Sequence, residues 1–198
     1  MGVYLVSLDA LEWFGLEEED EDSYRDVSTA LNGELVRRGL PPYESVPEEA
    51  PFVRGSGTAF EEKLIPAMDG FCALADEHLT SEEHDLLGGW SLLVPFSLEE
   101  QIVLPVPSGY TNETVVAGAP QVLAVAEKLA AAIGLPDEVP TMCDNLDLTT
   151  WFMDGPAHEV AETKPGLWSA DLDATFYTAL FLRAAQHSLR RGCPIVYT

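Results

Sequence analysis

The segment from Ser169 to Gly192 constrains the fold of this chain more than any other part of the sequence. Serine is a residue type that caps helix starts, and glycine is one that follows helix ends. Charges within the segment complement a helix dipole, with acidic residues first and basic residues last: Asp171, Asp173, Arg190 and Arg191. Because apolar residues cover most of the circumference, we predict a helix over about 170–191 that is central and packed on several sides.

The rest of the chain combines short β-rich runs with helical patterns. Residues 3–8 predict a buried first strand, and residues 91–106 predict a hairpin. Pro95 and Pro105 each lack a backbone donor, which places this hairpin at a sheet edge. Further helices are predicted over residues 23–38, 58–78, 80–88 and 120–133. The second of these predictions follows from a capping-box pattern at residues 58–61.

Together these elements predict an α/β or α+β fold. We expect one domain over residues 1–198, in which a small mixed sheet with an edge hairpin at about 91–106 is packed by four to five helices. Residues 40–57, which we call the crossing segment, contain four prolines and two glycines. They predict an ordered but irregular connection within the same domain.

Charge is the compositional outlier. The chain has 34 aspartates and glutamates against 10 lysines and arginines, a net charge of −24, and 23 of the acidic residues lie in residues 1–100. Such a field repels nucleic acid and anionic membranes, because binding to either relies on Lys and Arg. It attracts a basic protein or a cation. We therefore predict a basic protein partner and no direct binding to nucleic acid or membrane.

The acidic residues predict a docking surface for that partner. Its main members are Glu17, Glu18, Glu19, Asp20, Glu21, Asp22, Glu48 and Glu49, and further members are Glu44, Glu61, Glu62, Glu82, Glu83 and Asp85. Charge on such a surface raises the association rate and selects the partner. The alternative is a surface that only solvates the protein or adapts it to high salt.

One stripe of the C-terminal helix carries a basic cluster, formed by Arg183, Gln186, His187 and Arg190. Their spacing of three and four residues places them on one helix face. The cluster indicates an anion pocket, with His187 as a candidate general acid or base. The alternative is internal pairing of these cations with the surplus carboxylates.

A second candidate cluster is the loop sequence around Cys143 and Asp144. Cys143 is a candidate nucleophile if it lies near His187, and Asp144 is a further catalytic candidate. Together with Asn145 and Asp147, Asp144 also offers oxygen ligands for a hard cation. The alternative is that Asp147 or a neighbouring threonine caps a following helix.

A third candidate is Arg54 with the residues Gly55, Ser56 and Gly57. If a helix begins at Thr58, the backbone N–H groups of this loop could receive a phosphate, and Arg54 would be an anion-binding residue. The alternative is a turn that simply requires glycine.

The three cysteines Cys72, Cys143 and Cys193 are widely spaced and form no metal-binding pattern. This usage is typical of a reduced cytoplasmic protein. The N-terminus reaches Asp9 and Glu12 before an apolar run attains signal-peptide length, so we expect a soluble, cytoplasmic chain. We predict neither a cofactor nor a metal site.

The sequence contains no complete catalytic motif. Our leading hypothesis is therefore a non-catalytic acidic module that sequesters or inhibits a basic partner, in an immunity-type or inhibitor-type role. One alternative is a small-molecule enzyme with an anion pocket near Arg183, His187 and Arg190. A second alternative is a divalent-cation-binding protein.

Overall fold

A computed structural model describes residues 2–15, 24–109 and 111–198. Six strands form one mixed sheet: β1 (Val3–Ser7), β2 (Glu61–Leu64), β3 (Leu92–Val94), β4 (Ile102–Leu104), β5 (Thr114–Gly118) and β6 (Ile195–Tyr197). Their order across the sheet is β2-β1-β6-β3-β5-β4. Neighbouring strands are antiparallel except for β3 and β5, which are parallel. The fold is therefore α+β.

Helices cover both faces of this sheet. The described residues form eight α-helices: α1 (Ala10–Phe14), α2 (Arg25–Arg37), α3 (Asp69–His78), α4 (Ser81–Gly88), α5 (Ala119–Ile133), α6 (Asp147–Met153), α7 (Pro156–Thr163) and α8 (Leu172–Arg191). A short 3-10 helix, Leu167–Ser169, precedes α8. This is more than the four to five helices predicted, because the short α1, α6 and α7 give too little periodicity to be recognised. None of the helices in the described ranges is long and apolar enough to cross a membrane.

Successive side chains along a strand point alternately into two apolar cores, one on each face of the sheet. Leu93 and Ile195 point to the core beneath α3, α4, α5 and α8. Their neighbours Leu92 and Val196 point to the opposite core, beneath α1 and α2. Successive strand residues face opposite sides, so the sheet is the middle of three layers.

The C-terminal helix α8 lies at the centre of the larger core, as predicted. Thirteen of its twenty residues are buried, and it packs against α3, α5 and α6. Asp171 caps the helix by accepting from the backbone N–H of Ala174, and Gly192 ends it in the left-handed conformation. The helix thus begins at Leu172, because Asp171 rather than Ser169 is the cap.

The predicted hairpin at 91–106 is wrong in its pairing. Its two strands form as β3 and β4, but β5 lies between them. The sequence does not reveal β5, because four of its five residues are buried and such a strand shows no polar–apolar alternation. β4 does lie at the sheet edge, as the prolines indicate.

The helix predicted over residues 58–78 is also wrong, since this range forms strand β2 and the shorter helix α3. β2 pairs with β1 from Val3↔Leu64 to Val6↔Glu61. On its other side, Glu61 exchanges backbone hydrogen bonds with Cys143 and Leu146 at 3.2 and 2.8 Å. Hydrogen bonds on both sides outweigh the local helical preference of this polar segment.

Candidate functional site

Three clusters that are separate in sequence lie together around the C-terminal half of α8. Gly55 N donates to Asp144 Oδ2 at 2.7 Å, which joins the glycine loop to the loop that precedes α6. Arg183 in turn bonds backbone oxygens just upstream of Asp144. Gly57 lies so close to α8 that a Cβ atom on it would be 3.2 Å from Arg190 Nη2. The candidate residues therefore share one region of the structure.

Arg183 holds a loop against α8. Its Nε donates to Pro140 O at 2.7 Å and its Nη2 donates to Val139 O at 3.1 Å. Its Nη1 donates to Gln186 Oε1 at 2.9 Å. No carboxylate of the described residues forms an ion pair with it. Because these neutral oxygens occupy all three guanidinium nitrogens, the geometry indicates a structural role.

His187 is buried in α8 beside Arg190. Its Nδ1 lies 3.2 Å from Arg190 Nη2, and its ring centroid is 5.5 Å from that of Phe60. A guanidinium only donates hydrogen bonds, so Nδ1 accepts and the imidazole is neutral. Burial, with the charges of Arg190 and Arg191, lowers the pKa of His187 to about 3. An imidazole with this pKa is a weak base and stays unprotonated near neutral pH.

Cys143 lies in the same region but does not have the surroundings of a nucleophile. Burial, with the nearby charge of Glu62, raises the pKa of the Cys143 thiol above its ordinary value. The thiol donates to Pro140 O at 3.8 Å, and no hydrogen bond joins it to His187 among the described residues. An activated cysteine needs a lowered pKa or an adjacent base, and this thiol has neither.

The glycine loop 54–57 is occupied by carboxylates of the protein itself. Asp144 Oδ2 accepts from Gly55 N, and Asp147 Oδ1 lies 3.1 Å from Arg54 Nη2. The expectation of a helix start at Thr58 is wrong, because the chain continues into β2. Gly55 and Gly57 have φ values of 79° and 68°, so the turn does require glycine. These contacts favour a fixed turn over a phosphate loop.

The sequence predicts the wrong environment for Glu62, which has an important structural role. The charge pattern predicts an exposed carboxylate, yet Glu62 is fully buried. Its Oε1 accepts from Leu148 N at 2.8 Å, and its Oε2 accepts from Thr149 N at 2.8 Å and Thr149 Oγ1 at 2.7 Å. Burial outweighs these donors and raises the pKa of Glu62 to about 7. Glu62 thus caps α6 from β2, and neither Asp147 nor Thr149 does so.

The predicted docking surface is described in part. Its run Glu17, Glu18, Glu19, Asp20, Glu21 and Asp22 lies outside the described residues. Glu48 and Glu49 are exposed and line a cleft of about 100 Å³ together with Asp9, Glu12 and Arg191. No ion pair within the described ranges involves Glu48 or Glu49. These two carboxylates therefore stay available to a partner.

Contacts along its length hold the crossing segment to the rest of the protein. Tyr43 is buried, donates its hydroxyl to Gly192 O at 2.8 Å, and packs its ring against Trp13. Ala10 N donates to Pro47 O at 2.8 Å, and Gly55 forms the bond to Asp144 described above. Every residue from 48 to 56 is exposed. The segment is thus an anchored, irregular surface loop, in line with the sequence prediction.

Phe52 and Val53 are exposed residues on this loop that the sequence does not single out. They are 57% and 59% exposed. No local pattern could identify them, because residues in an irregular segment have no periodic face.

In the described ranges, the side chains of types that bind metals do not come together in a metal site. Within the described ranges, no group of three His, Cys, Asp or Glu side chains could hold a metal ion. Asp144 and Asp147, the residues predicted as oxygen ligands, instead contact Gly55 and Arg54. Comparison of the chain with protein-family models, with curated proteins and with solved structures finds no match.

Proposed function

We propose that this protein is an acidic binding module that sequesters or inhibits a basic protein. The observation that carries the proposal is the exposed carboxylate series of the crossing segment, Glu44, Glu48 and Glu49. These side chains are exposed and form no ion pair with any cation of the described residues. A basic partner would therefore bind these glutamates without first breaking an internal ion pair.

Five of the protein's ten lysines and arginines form ion pairs with carboxylates outside the crossing segment. The ion pairs join Arg37 and Arg38 to Glu34, Arg54 to Asp147, Lys128 to Glu83, and Lys164 to Glu138. In the C-terminal helix, Arg183 and Arg190 bond neutral groups, whereas Arg191 lines the cleft of Glu48 and Glu49 without an ion pair to either. The crossing segment, with three glutamates and one arginine, carries net negative charge, which favours electrostatic steering of a basic partner.

The described residues on either side of the acidic run lie beside the crossing segment. Tyr24 N donates to Glu12 O at 3.1 Å. Glu12 also lines the cleft with Glu48 and Glu49. The run of residues 17–22 itself lies outside the described residues, and the proposal rests on the carboxylates of the crossing segment.

The geometry gives less support to an enzyme with an anion pocket at Arg183, His187 and Arg190. The guanidinium of Arg183 is occupied by carbonyl oxygens, and the low pKa of His187 makes it a poor acid or base near neutral pH. A divalent-cation site likewise has no set of converging ligands in the described ranges.

Affinity capture with matched variants tests the proposal. The tagged protein, its Glu48→Gln/Glu49→Gln variant and a Glu99→Gln/Glu100→Gln control are each incubated with host lysate at low salt and eluted with a salt gradient. The control removes the same charge from another exposed pair, which lines a separate cleft beside Arg37 and Arg38.

We expect a basic protein to bind the wild type and the control, and to elute from the Glu48→Gln/Glu49→Gln variant at lower salt. The proposal fails if no basic protein is retained by the wild type. It also fails if the two double variants weaken retention equally, because the effect would then be one of total charge.

A further inference from the structure

We propose that residues 48–56 form a docking loop in which Phe52 and Val53 are the apolar anchor for the basic partner. This inference rests on the proposed function and specifies the surface that the partner must have. That surface is an apolar depression bordered by lysine or arginine side chains.

Exposed apolar side chains are grouped at the docking loop. Phe52 and Val53 are adjacent and more than half exposed, and Met142, at 39%, is also exposed. Met142 approaches the loop closely, because a Cβ atom on Gly57 would lie 2.6 Å from its Sδ. Aromatic residues, methionine and arginine are enriched in protein interfaces, and Arg54 follows Val53 directly in the loop.

Hydrogen bonds at both ends hold the loop in place before any partner binds. Pro47 O accepts from Ala10 N at 2.8 Å at one end, and Gly55 N donates to Asp144 at 2.7 Å at the other. Pro51, between these two points, fixes a backbone angle, and Ser56 N, just beyond Gly55, donates to Val53 O at 3.0 Å. A loop that is already ordered loses little conformational entropy on binding.

The charge of the loop complements a basic partner. Glu48 and Glu49 precede Phe52 by three to four residues and carry no internal ion pair in the described ranges. Arg54, which follows, is already paired with Asp147. Arg191 in the cleft is outnumbered by Asp9, Glu12, Glu48 and Glu49, so the field at the loop is negative. A partner that buries Phe52 must therefore bring positive charge to Glu48 and Glu49. Rim charges then set the association rate, while the buried aromatic residue sets the lifetime of the complex.

A phage-displayed library of random dodecapeptides, selected on the immobilised full chain, tests this inference directly. We expect the enriched peptides to combine lysine or arginine with an aromatic or aliphatic residue. Phe52→Ser should weaken their binding about tenfold or more, as expected for an interface anchor. The matched control is Leu167→Ser, because Leu167 is 62% exposed and lies in the 3-10 helix Leu167–Ser169. It should leave binding unchanged.

A second pair of variants tests the ordering of the loop with Phe52 intact. Asp144→Ala removes the acceptor of Gly55 N, whereas Asp144→Asn keeps an acceptor. We expect the alanine variant alone to weaken the same peptides several-fold, with the melting temperature of each variant recorded alongside.

The outcomes separate this inference from the proposed function. Peptides that are purely basic, and that depend on Glu48 and Glu49 but not on Phe52, would overturn the anchor and leave the acidic module in place. A selection that enriches no peptide, or only peptides insensitive to all of these variants, would overturn both.

Discussion

Glu62 and Asp144 show how burial changes what a carboxylate does in an acidic protein. Both are buried, and both accept backbone N–H groups: Glu62 at the start of α6, and Asp144 in the loop at Gly55. A buried carboxylate is tolerated when such donors replace the water it has lost. These two residues therefore fix the loops behind the proposed docking surface and are not accessible to a partner.

Glu62→Gln should change the pH dependence of stability. The folded-state pKa of Glu62, about 7, lies above the ordinary value of 4.5. Between these values the folded protein holds a proton that the unfolded chain has released, so stability falls as pH rises. From about pH 5.5 to about pH 7.5, wild type should lose about 2 kcal/mol of unfolding free energy relative to the variant.

Urea denaturation of both proteins at several pH values above the isoelectric point, about 4.1, measures this difference. Using the difference cancels the opposite contribution of His187, whose folded-state pKa is lowered to about 3. Parallel stability profiles for the two proteins would show that Glu62 does not titrate in this window.

Arg183→Lys should destabilise the protein more than Arg25→Lys, at the exposed start of α2. A lysine cannot reproduce the bonds of one guanidinium to Val139 O and Pro140 O, whereas Arg25 is exposed and forms no ion pair in the described ranges. We expect a loss of about 1–3 kcal/mol for Arg183→Lys and less than about 0.5 kcal/mol for Arg25→Lys. Equal effects in chemical denaturation would contradict the structural role of Arg183.

At the scale of whole elements, the sequence predicts those whose ends carry local signals. α8 and α5 are recognised from apolar faces and terminal residues, and Gly134 ends α5 in the left-handed conformation as expected. β2 and β5 are not recognised, because tertiary pairing decides them. The polar sequence of β2 is a strand only through its hydrogen bonds to β1, to the loop that precedes α6 and to Thr149 in the first turn of α6.

The candidate site was predictable to a similar degree. The sequence identifies the stripe of Arg183, His187 and Arg190, but it cannot show that this stripe meets the loops around Gly57 and Asp144. That meeting depends on how β2 and α6 sit against α8, which no local pattern encodes. The roles of Glu62 and Phe52 depend on burial and exposure in the fold and are hidden for the same reason.

Gly118→Ala tests the position of β5 beside β3. Gly118 has an ordinary φ of −84°, so backbone strain is not an issue. A Cβ atom there would lie 2.7 Å from Phe96 O and 2.8 Å from Leu98 N. Because backbone atoms cannot easily move aside, we expect a loss of about 1–3 kcal/mol.

The matched control is Gly33→Ala, at a position inside α2 where a Cβ atom meets nothing within 4 Å. It should stabilise the protein by about 0.5–1 kcal/mol through helix propensity. A Gly118→Ala variant as stable as wild type in thermal or urea unfolding would contradict the packing of β5 described above.

At the scale of the molecule, composition determines the net charge of −24 but not its placement. The fold removes Glu62 and Asp144 from the surface and pairs several other carboxylates with the few cations. It leaves Glu44, Glu48 and Glu49 exposed on one anchored segment. A merely solvating surface would need no such anchored loop, nor exposed apolar residues beside the charges.

Repulsion among so many like charges should make stability depend on salt. Raising the ionic strength from about 0.01 M to about 0.15 M shortens the screening length from about 30 Å to about 8 Å. We expect the melting temperature to rise by several degrees over this range, because screening relieves repulsion in the compact state. A melting temperature that falls with added salt would indicate that internal ion pairs outweigh the repulsion.

The most direct test of the central claim is the association rate between the protein and its captured basic partner, measured by stopped-flow at increasing salt. We expect the rate to fall at least about tenfold from low to high salt. The dependence should be distinctly flatter for Glu48→Gln/Glu49→Gln and nearly unchanged for Glu99→Gln/Glu100→Gln. A rate independent of salt, or the same slope for both double variants, would contradict a docking role for the acidic residues of the crossing segment.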